Sequence, residues 1–483
     1  MKPAIIEDLR AIVGDDAIFT RDADLRTYES DALTAFHGVP EVVVLPSTTE
    51  QVQAVVRVCR RERIPFVPRG SGTGLSGGAT PTAGSIVISL ARMNQILEVD
   101  LPNERIVVQP GVVNAWVTQR VAPQGYFYAP DPSSQIVCSI GGNVAENSGG
   151  VHCLKYGFTV NHVLGMEFVL PDGEIVQIGG QASDTPGYDL PGIVVGAEGT
   201  LGIATRIILR LVKRPQVIQT ALAAFAHTDA AGEAVSGIIG AGIIPAAVEM
   251  MDALAIAACE EAVHAGLPRD AGAVLLIELD GTPAEVATQL RQVEDICQRA
   301  SATEWRLARD EAERQLMWKG RKAAFAAMGR LSPNYIVQDG VIPRTALPEV
   351  LREIADLSAR HGLRVANVFH AGDGNLHPLV LYDQEAGGEQ ERAEELAGAI
   401  IKTCVAHGGS ITGEHGVGLD KQRYMPVMFT AADMDTHQRI RCAVDPDHLA
   451  NPAKVYPAPR LCGEAPGPYR PHPLEAAGVI ERL

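Results

Sequence analysis

The stretch of residues 68–78 constrains this chain most, because five of its eleven residues are glycine. Such a run loses much backbone entropy on folding, so it is favoured where the backbone is left-handed or its N–H groups approach a ligand. Successive exposed N–H groups bind anions, which predicts a pyrophosphate. Residues 72–77 match GxGxxG, but a Rossmann turn opens a helix, whereas this chain runs into an apolar strand. We therefore predict a strand–loop–strand dinucleotide cradle, with a mobile surface loop as the alternative.

Composition indicates a large soluble protein. Its 483 residues, 46% hydrophobic and 20% charged, predict two large units and a smaller terminal element, each with a packed core. The formal charge of −17 argues against nucleic acid as a partner and against unaided binding to an anionic membrane. The N-terminus lacks a signal-peptide pattern and no run approaches about eighteen apolar residues, so we expect no transmembrane segment and a cytoplasmic protein.

The cysteines are scattered without a CxxC pair: Cys59, Cys138, Cys153, Cys259, Cys297, Cys404, Cys442 and Cys462. This spacing predicts reduced thiols, most of them packed as small apolar side chains. Iron–sulfur clusters are held by grouped cysteines, so we predict that this chain holds none.

Short apolar runs separated by turn formers organise the first unit. We predict one helix and a linker over residues 1–40, and a capping-box pattern at 47–50 predicts the start of another helix. The predicted strands cover residues 42–46, 64–67, 85–90, 96–99, 105–109, 164–170, 174–178 and 204–211. The strands at 85–90, 96–99 and 105–109 together predict one mixed α+β sheet.

Further clusters of small polar residues occur at 130–134, 140–150 and 196–202. Plain loops often have this composition, which is the alternative. Asn, Ser and bare N–H groups also suit a flat polar ring and a ribityl chain. We therefore predict that these clusters line a ligand.

Pro215 marks a predicted boundary, beyond which strands and amphipathic helices alternate. We predict strands at 219–225 and 274–279 and helices at 229–239, 251–264 and 283–300. This pattern predicts a sheet covered on one side. An independent interaction module is the alternative.

A predicted hairpin brings two histidines together. Residues 365–371 and 376–382 flank a four-residue loop at 372–375, so we expect His370 to lie opposite His377 with both imidazoles on one side. A lone histidine on a strand is more often a satisfied structural residue. A pair flanked by glycines favours a site.

Glu414 and His415 lie between glycines farther along, after a predicted helix at 393–404 and a short strand. Two imidazoles and a carboxylate suffice to hold a divalent cation with positions left open for substrate. His415 is then free to act as a general base. The spacing differs from HExxH, which argues against a protease of that class.

The chain end predicts little regular structure. Residues 444–454 are rich in turn formers, with a plain chain terminus as the alternative, and residues 458–483 form a Pro- and Gly-rich tail with poor expected order.

Five motifs resemble one family in their order and spacing: PRGSGTGLSGG, PDPSSQIVCSIGGNVAENSGGVHCLKYG, GAEGTLG, NVFHAGDGNLHP and GEHGVG. The chain resembles the vanillyl-alcohol oxidase type of FAD-linked enzyme. More narrowly, it looks like the FAD-linked D subunits of bacterial glycolate oxidases (glycolate dehydrogenases), relatives of D-lactate and D-2-hydroxyglutarate dehydrogenases. The resemblance implies an α+β fold: a bipartite FAD-binding domain of PCMH type at 41–215, then an α+β cap domain with an antiparallel sheet at 216–457 and a C-terminal return to the flavin.

The resemblance also implies a non-covalent FAD, although position 152 is histidine. The flavin-lining residues that it implies are Pro68, Arg69, Gly70, Ser71, Gly72, Thr73, Gly74, Pro132, Ser133, Ser134, Gly141, Gly142, Asn143, Asn147, Ser148, Gly149, Gly150, Tyr156, Gly157, Glu198, Gly202, Ile203 and Asn451.

In related D-2-hydroxyacid dehydrogenases, residues matching His370, His377 and Glu414 hold zinc or a similar divalent cation. The resemblance implies that His415 touches the substrate and that Arg321 meets the substrate carboxylate through a bidentate fork.

Two positions depart from the family pattern. Val337 stands where relatives that take a dicarboxylate use lysine, which favours a short monocarboxylate. Ala453 replaces the usual glycine of a terminal NPGK motif, so this motif carries little weight.

The expected reaction is oxidation of glycolate to glyoxylate, in which the metal polarises the hydroxyl, His415 takes its proton and the α-hydrogen passes to the flavin as hydride. The resemblance implies an iron–sulfur subunit and a second flavin-type subunit as partners, with quinone as the eventual acceptor and possible contact with the inner membrane face through them. D-lactate or another D-2-hydroxy acid is the alternative substrate. A metal-dependent hydrolase and a non-catalytic flavin-binding subunit are the alternatives from other classes.

Overall fold

The computed structural model describes residues 1–182 and 186–457. The predicted tail at 458–483, with Cys462 in it, lies outside the described residues. The chain forms an α+β fold, as predicted. Pro215 lies in the connection between the strand systems of its first and second parts.

Short strands and helices make up the first part. Its strands are β1 (Ile18–Phe19), β2 (Val42–Val44), β3 (Phe66–Arg69), β4 (Ile86–Ser89), β5 (Ile96–Asp100), β6 (Arg105–Val108), β7 (Tyr126–Phe127), β8 (Val163–Val169), β9 (Ile175–Gly179), β10 (Ile203–Arg210) and β11 (Val212–Lys213). Its α-helices are α1 (Pro3–Val13), α2 (Asp22–Leu25), α3 (Thr49–Glu62), α4 (Asn114–Val121), α5 (Ile140–Glu146), α6 (Cys153–Tyr156) and α7 (Leu190–Val194).

Two main sheets organise these strands. One has the order β1-β2-β4-β3, and its central strand β4 runs parallel to both neighbours. The other is antiparallel, with the order β5-β6-β10-β8-β9. The glycine-rich stretch connects β3 to β4, so the predicted strand–loop–strand order is confirmed. The prediction of one mixed sheet is wrong, because β5 and β6 belong to the second sheet.

The N-terminal forty residues hold more than the predicted helix and linker. The strand β1 is only two residues long, too short to produce a periodic pattern, and it pairs with β2 through Ile18 and Val44. Helix α3 begins at Thr49, one residue later than a box that starts at residue 47 implies. The cap is Thr48, whose side chain accepts a hydrogen bond from the Gln51 N–H.

A larger sheet and its covering helices make up the second part. Its strands are β12 (Val217–Phe225), β13 (Ala247–Asp252), β14 (Ala273–Gly281), β15 (Glu304–Leu307), β16 (Asn334–Val337), β17 (Gly340–Val341), β18 (Arg364–His370), β19 (Asn375–Leu376) and β20 (Pro378–Tyr382). Its α-helices are α8 (Thr228–Gly240), α9 (Ala253–Val263), α10 (Pro283–Arg299), α11 (Glu311–Lys322), α12 (Ala324–Ala327), α13 (Leu347–His361), α14 (Glu389–Ala406), α15 (Met425–Met428) and α16 (Ala431–Val444).

This sheet has the order β15-β12-β14-β13-β18-β19-β17, and β20 pairs with both β18 and β16. The prediction of one covered side is wrong. Helices α8, α10, α13 and α14 contribute to the apolar core on one face, and α9, α11 and α12 to the core on the other. The physical reason is the alternation along β14. Leu275 and Ile277 pack into the first of these cores, whereas Val274 and Leu276 pack into the second.

The histidine hairpin has a different register from the predicted one. His370 pairs with Asn375, and Asn367 pairs with Pro378, so the loop covers residues 371–374 and the expected pairing of His370 with His377 is wrong by two residues. Side chains alternate with a period of two, so an even shift keeps both imidazoles on one face. Their ring centroids lie 5.1 Å apart.

Two other predicted details differ. The short strand expected before Gly413 is only an isolated bridge between Ser410 and Val341 in the described residues. Six cysteines are free and buried, as predicted, but Cys442 is disulfide-bonded, so the expectation of reduced thiols is wrong there. None of the helices formed by residues 1–182 and 186–457 combines the length and apolar character needed to cross a membrane.

A buried polar network joins the two parts around Glu278 of β14. Its carboxylate accepts hydrogen bonds from Thr220, Arg314 and Trp318, and it lies 3.2 Å from His152 Nε2. The other imidazole nitrogen of His152 lies 2.9 Å from an oxygen of Asp131. Burial alone would lower the pKa of His152, but the two carboxylates raise it to about 10. A charged His152 therefore bridges the first part of the chain to the large sheet.

We expect His152→Gln to lower the free energy of unfolding by about 2 kcal/mol at pH 6, because it leaves two carboxylates without their shared cation. The pKa of His152 is raised on folding, so its contribution is complete below about pH 6.5 and is lost as the pH rises through about 10. Thermal unfolding of both proteins between pH 6 and pH 10 measures this. The difference in Tm should shrink with rising pH.

The exposed His227 provides the control, since it caps α8 without a side-chain hydrogen bond. His227→Gln should change Tm little at any pH. A His152→Gln difference that stays constant up to pH 10 would contradict a charged bridge.

Candidate functional site

A cavity of about 990 Å³ contains the candidate site. The predicted residues on its wall are Pro68, Arg69, Gly70, Ser71, Gly72, Thr73, Gly74, Pro132, Ser133, Ser134, Gly141, Gly142, Asn143, Ser148, Glu198, Gly202, Ile203, His377, Glu414 and His415. The predicted residues that do not line it are Asn147, Gly149, Gly150, Tyr156, Gly157, Arg321, His370 and Asn451. All three glycine-rich clusters thus reach one cavity together with two of the predicted metal ligands.

The glycine loop is supported from beneath by Arg69. The Arg69 side chain is buried, and its Nη1 donates to the Ala79 carbonyl oxygen at 3.4 Å. A Cβ at Gly72 would lie 2.2 Å from Arg69 Nη2, and Gly72 has a φ of +71°. The backbone angle therefore favours glycine here, and any side chain would also have to displace the guanidinium.

Several predicted residues off the wall have structural partners. Tyr156 donates to an oxygen of Asp280 at 2.5 Å, and Asn147 ends α5 in a left-handed conformation. Asn451 donates from Nδ2 to the carbonyl oxygens of Gly78 and Glu198, at 2.9 and 2.7 Å. The terminal motif, which carries little weight in the sequence, therefore contributes a buried residue that is hydrogen-bonded to the glycine loop.

His370, His377 and Glu414 form a compact cluster. Nε2 of His370 and Nε2 of His377 lie 3.3 and 3.2 Å from the same oxygen of Glu414. Both ring nitrogens of His377 are buried without a hydrogen bond in the described residues. One ligand atom from each of the three residues lies within 4.8 Å of the others. Orphaned imidazole nitrogens beside a carboxylate fit a divalent cation, so these residues suit the predicted metal.

Glu249 orients His370. It lies opposite His370 in the sheet, and its Oε1 is 2.6 Å from His370 Nδ1. The other oxygen, Oε2, lies 2.6 Å from Nη2 of Arg321. A carboxylate on Nδ1 leaves Nε2 directed at Glu414 and strengthens imidazole as a ligand. Nε of Arg321 has no hydrogen-bond partner among the described residues.

His415 stacks on His377, with ring centroids 5.1 Å apart and planes within 3°. Burial lowers the pKa of His415 to about 4, although Asp339 opposes the shift. The imidazole is therefore neutral at neutral pH and able to accept a proton.

A buried carboxylate on each side holds the segment 413–418. Asp339 accepts hydrogen bonds from the backbone N–H groups of residues 413–415. Glu198 accepts from the N–H groups of Val417 and Gly418, each at 2.7 Å. Burial raises the pKa of Glu198 to about 7, while these two N–H groups lower it. Glu198 thus touches the cavity and also anchors the segment that carries His415.

Three charged residues around the site are absent from those predicted from the sequence: Glu249, Asp339 and Lys421. Glu249 interrupts the apolar run of β13, and this interruption also hid the strand. A charged residue inside an apolar run is a signal that could have revealed it, because a buried charge needs a partner. Asp339 follows β16 and stands between polar and glycine residues, where no comparable signal exists.

We expect Gly418→Ala to lower the free energy of unfolding by about 2–3 kcal/mol and to reduce the bound flavin. Gly418 has a φ of +50°, and its Cβ would lie 2.1 Å from the Ser76 carbonyl oxygen, forcing the glycine loop away from segment 413–418. Thermal unfolding and the flavin absorbance per chain measure both effects.

Gly84→Ala is the matched control, because Gly84 has a φ of +77° but no atom within 4 Å of its Cβ position. It should cost about 1 kcal/mol and leave the flavin content unchanged. Equal flavin loss in both variants would show that crowding against Ser76 is unimportant.

Comparisons with known proteins identify the family of this chain. Residues 40–179 match a family model described as "FAD binding domain", and residues 214–455 match "FAD linked oxidases, C-terminal domain". The chain is 50% identical to the glycolate oxidase subunit GlcD of Escherichia coli K12, covering 96% of this chain and 93% of that one. It is 39% identical to the subunit of the same name in Bacillus subtilis, covering 93% and 96%.

Among solved structures, p-cresol methylhydroxylase with substrate bound superposes with a TM-score of 0.78 at 18% identity, covering 94% of this chain and 96% of that one. At this identity the likeness shows the fold alone, and it confirms the predicted PCMH-type architecture. With both halves matched by family models, the chain belongs to the FAD-linked oxidases.

Proposed function

We propose that this chain oxidises a small 2-hydroxy acid, with glycolate as the first candidate. The observation that supports this most is the presence of His377, Glu414 and His415 on the wall of the cavity that the glycine-rich clusters line. A hydrolase would have no use for those clusters. The relatives named above support glycolate, and D-lactate is the alternative substrate.

Bound FAD supplies the redox chemistry by accepting two electrons from the substrate. Its proposed binding residues are the predicted ones, both those on the cavity wall and those behind it. Both nitrogens of His152 already lie within hydrogen-bond distance of carboxylates, which supports a non-covalent flavin.

His370, His377 and Glu414 would hold a divalent cation, zinc being the first candidate, and the cation would supply Lewis acidity toward the substrate hydroxyl. His415 is neutral, buried and adjacent, so we propose that it accepts the hydroxyl proton. We propose that the unpartnered edge of Arg321 binds the substrate carboxylate while Nη2 stays on Glu249.

The cavity wall supports a short substrate. Val337, Phe325 and Tyr335 line the cavity, and the Phe325 ring lies 6.1 Å from the His377 ring. Val337 supplies no charge where relatives that take a dicarboxylate use lysine, so we propose a monocarboxylate as the substrate.

We propose that electrons leave to partner subunits. The printed name of the relatives is that of a subunit, which supports assembly into a multisubunit complex. From the family resemblance we propose an iron–sulfur subunit and a second flavin-type subunit as partners, and through them contact with the inner membrane face. The predicted cytoplasmic location belongs to this proposal.

Anaerobic mixing of the FAD-containing protein with glycolate, D-lactate and D-2-hydroxyglutarate tests the function. We expect the flavin absorbance to bleach fastest with glycolate.

His415→Asn should slow bleaching by about 10²–10⁴-fold while flavin content is unchanged, because it removes the proposed base. His407→Asn, at a histidine paired with Glu353 at the end of α14, is the control and should bleach like the wild type. Wild-type protein that is not bleached by any 2-hydroxy acid would exclude the proposal.

Removal of the cation gives a separate prediction. Dialysis against a chelator should abolish bleaching by glycolate but leave the flavin bound, since none of the three ligands is among the proposed flavin-binding residues. Added Zn²⁺ should restore the rate. Full bleaching by protein whose metal content is shown to be zero would rule out a catalytic role for the cation.

A further inference from the structure

We propose that Asp339 is a positioning residue that sets Glu414 and His415 in place over His377. This inference rests on the proposed function, because it concerns the same cation and base. It adds a residue that binds neither the substrate nor the cation and acts through the backbone of the segment that carries both groups.

The Asp339 carboxylate is surrounded by donors from one short segment. Asp339 is fully buried, and its donors are Thr412 Oγ1 at 2.5 Å, Gly413 N at 3.0 Å, Glu414 N at 3.1 Å, His415 N at 3.0 Å and Lys421 Nζ at 3.0 Å. Three successive N–H groups can converge on one carboxylate only if the backbone wraps around it. The direction of the Glu414 and His415 side chains is then set by this wrapping.

Asp339 also has a defined place relative to His377. Val337 of β16 pairs with Leu379 of β20, and the Gln338 N–H donates to the Pro378 carbonyl oxygen at 3.1 Å. The next pair in this register is Asp339 and His377, and Asp339 Oδ1 lies 3.5 Å from His377 Nε2. One carboxylate therefore relates His377, which lies between β19 and β20, to a distant segment that carries Glu414 and His415.

The donors around Asp339 argue against direct binding of a cation by this carboxylate. Its Oδ2 already accepts from Thr412, Gly413, His415 and Lys421. The ammonium of Lys421, itself buried, supplies the positive charge that the carboxylate needs. Asp339, His377 and His415 each have a possible ligand atom within 4.8 Å of the others. However, the Asp339 oxygen that faces His415 is Oδ2, which is occupied by these donors.

Asp339→Asn tests the proposal in the full chain loaded with FAD. An amide keeps the size but replaces an acceptor by an N–H₂ group that opposes the backbone donors. We expect the affinity for Zn²⁺, measured by competition with a chelating dye, to fall about ten- to hundredfold, as for other residues that orient metal ligands. Bleaching by glycolate should slow, and part of the rate should return at saturating Zn²⁺. The flavin content should match the wild type.

Glu260→Gln is the matched control. Glu260 is another buried carboxylate that accepts backbone N–H groups, from Gly266 and Leu267, but this loop carries no site residue. It should lower Tm without changing the affinity for Zn²⁺. A merely structural role of Asp339 predicts the same result for both variants, and that outcome would overturn the proposal.

Thr412→Val serves if Asp339→Asn does not fold. It removes one donor while the carboxylate stays, so we expect a loss of Zn²⁺ affinity of about threefold or more, consistent with one hydrogen bond to a charged group. Unchanged affinity in this variant would contradict the proposal. Failure of the proposed function can be told apart from failure of the positioning role of Asp339. If only the proposed function fails, wild-type protein binds Zn²⁺ but its flavin is not bleached by glycolate. Wild-type protein that binds no Zn²⁺ would overturn both.

Discussion

The segment 413–418 depends on two buried carboxylates that hold it from opposite sides. Asp339, from the cap side, accepts its first three backbone N–H groups, and Glu198, from the glycine-rich side, accepts the N–H groups of Val417 and Gly418. A buried carboxylate without donors is strongly unfavourable, so each acid and the segment require one another. The positions of Glu414 and His415 beside His377 follow from this double attachment.

The cluster itself combines two kinds of positioning. His370 and His377 are set by strand pairing, where an even register keeps them on one face, and Glu249 fixes one imidazole through the neighbouring strand. Glu414 and His415 are set by hydrogen bonds to their own backbone. A strand register changes only in whole residues, and a turn around a carboxylate has little freedom, so neither part of the site relies on a flexible loop.

Local patterns in the sequence predict much of this fold. The glycine loop between two strands, the shared face of the two histidines and the long helices are each encoded within a few residues. What escaped prediction depends on distant partners. The hydroxyl of Tyr156 donates to Asp280 of β14, a contact that no local pattern predicts. Asp339 has no local pattern at all, because its donors lie more than seventy residues away in the chain. Both faces of the large sheet are covered because β14 is apolar at alternating positions on each side, which a short apolar run cannot distinguish from one-sided burial.

Asn451 has a consequence for the order of events during synthesis. Its amide binds the carbonyl oxygens of Gly78 and Glu198, and Lys454 binds that of Thr80 at 2.8 Å, so the nucleotide cradle near the N-terminus receives its last hydrogen bonds from the final part of the described chain. N-terminal domains usually fold first on the ribosome. Here a nascent chain cannot complete the hydrogen bonds of its cradle before residues 451 and 454 have been synthesised.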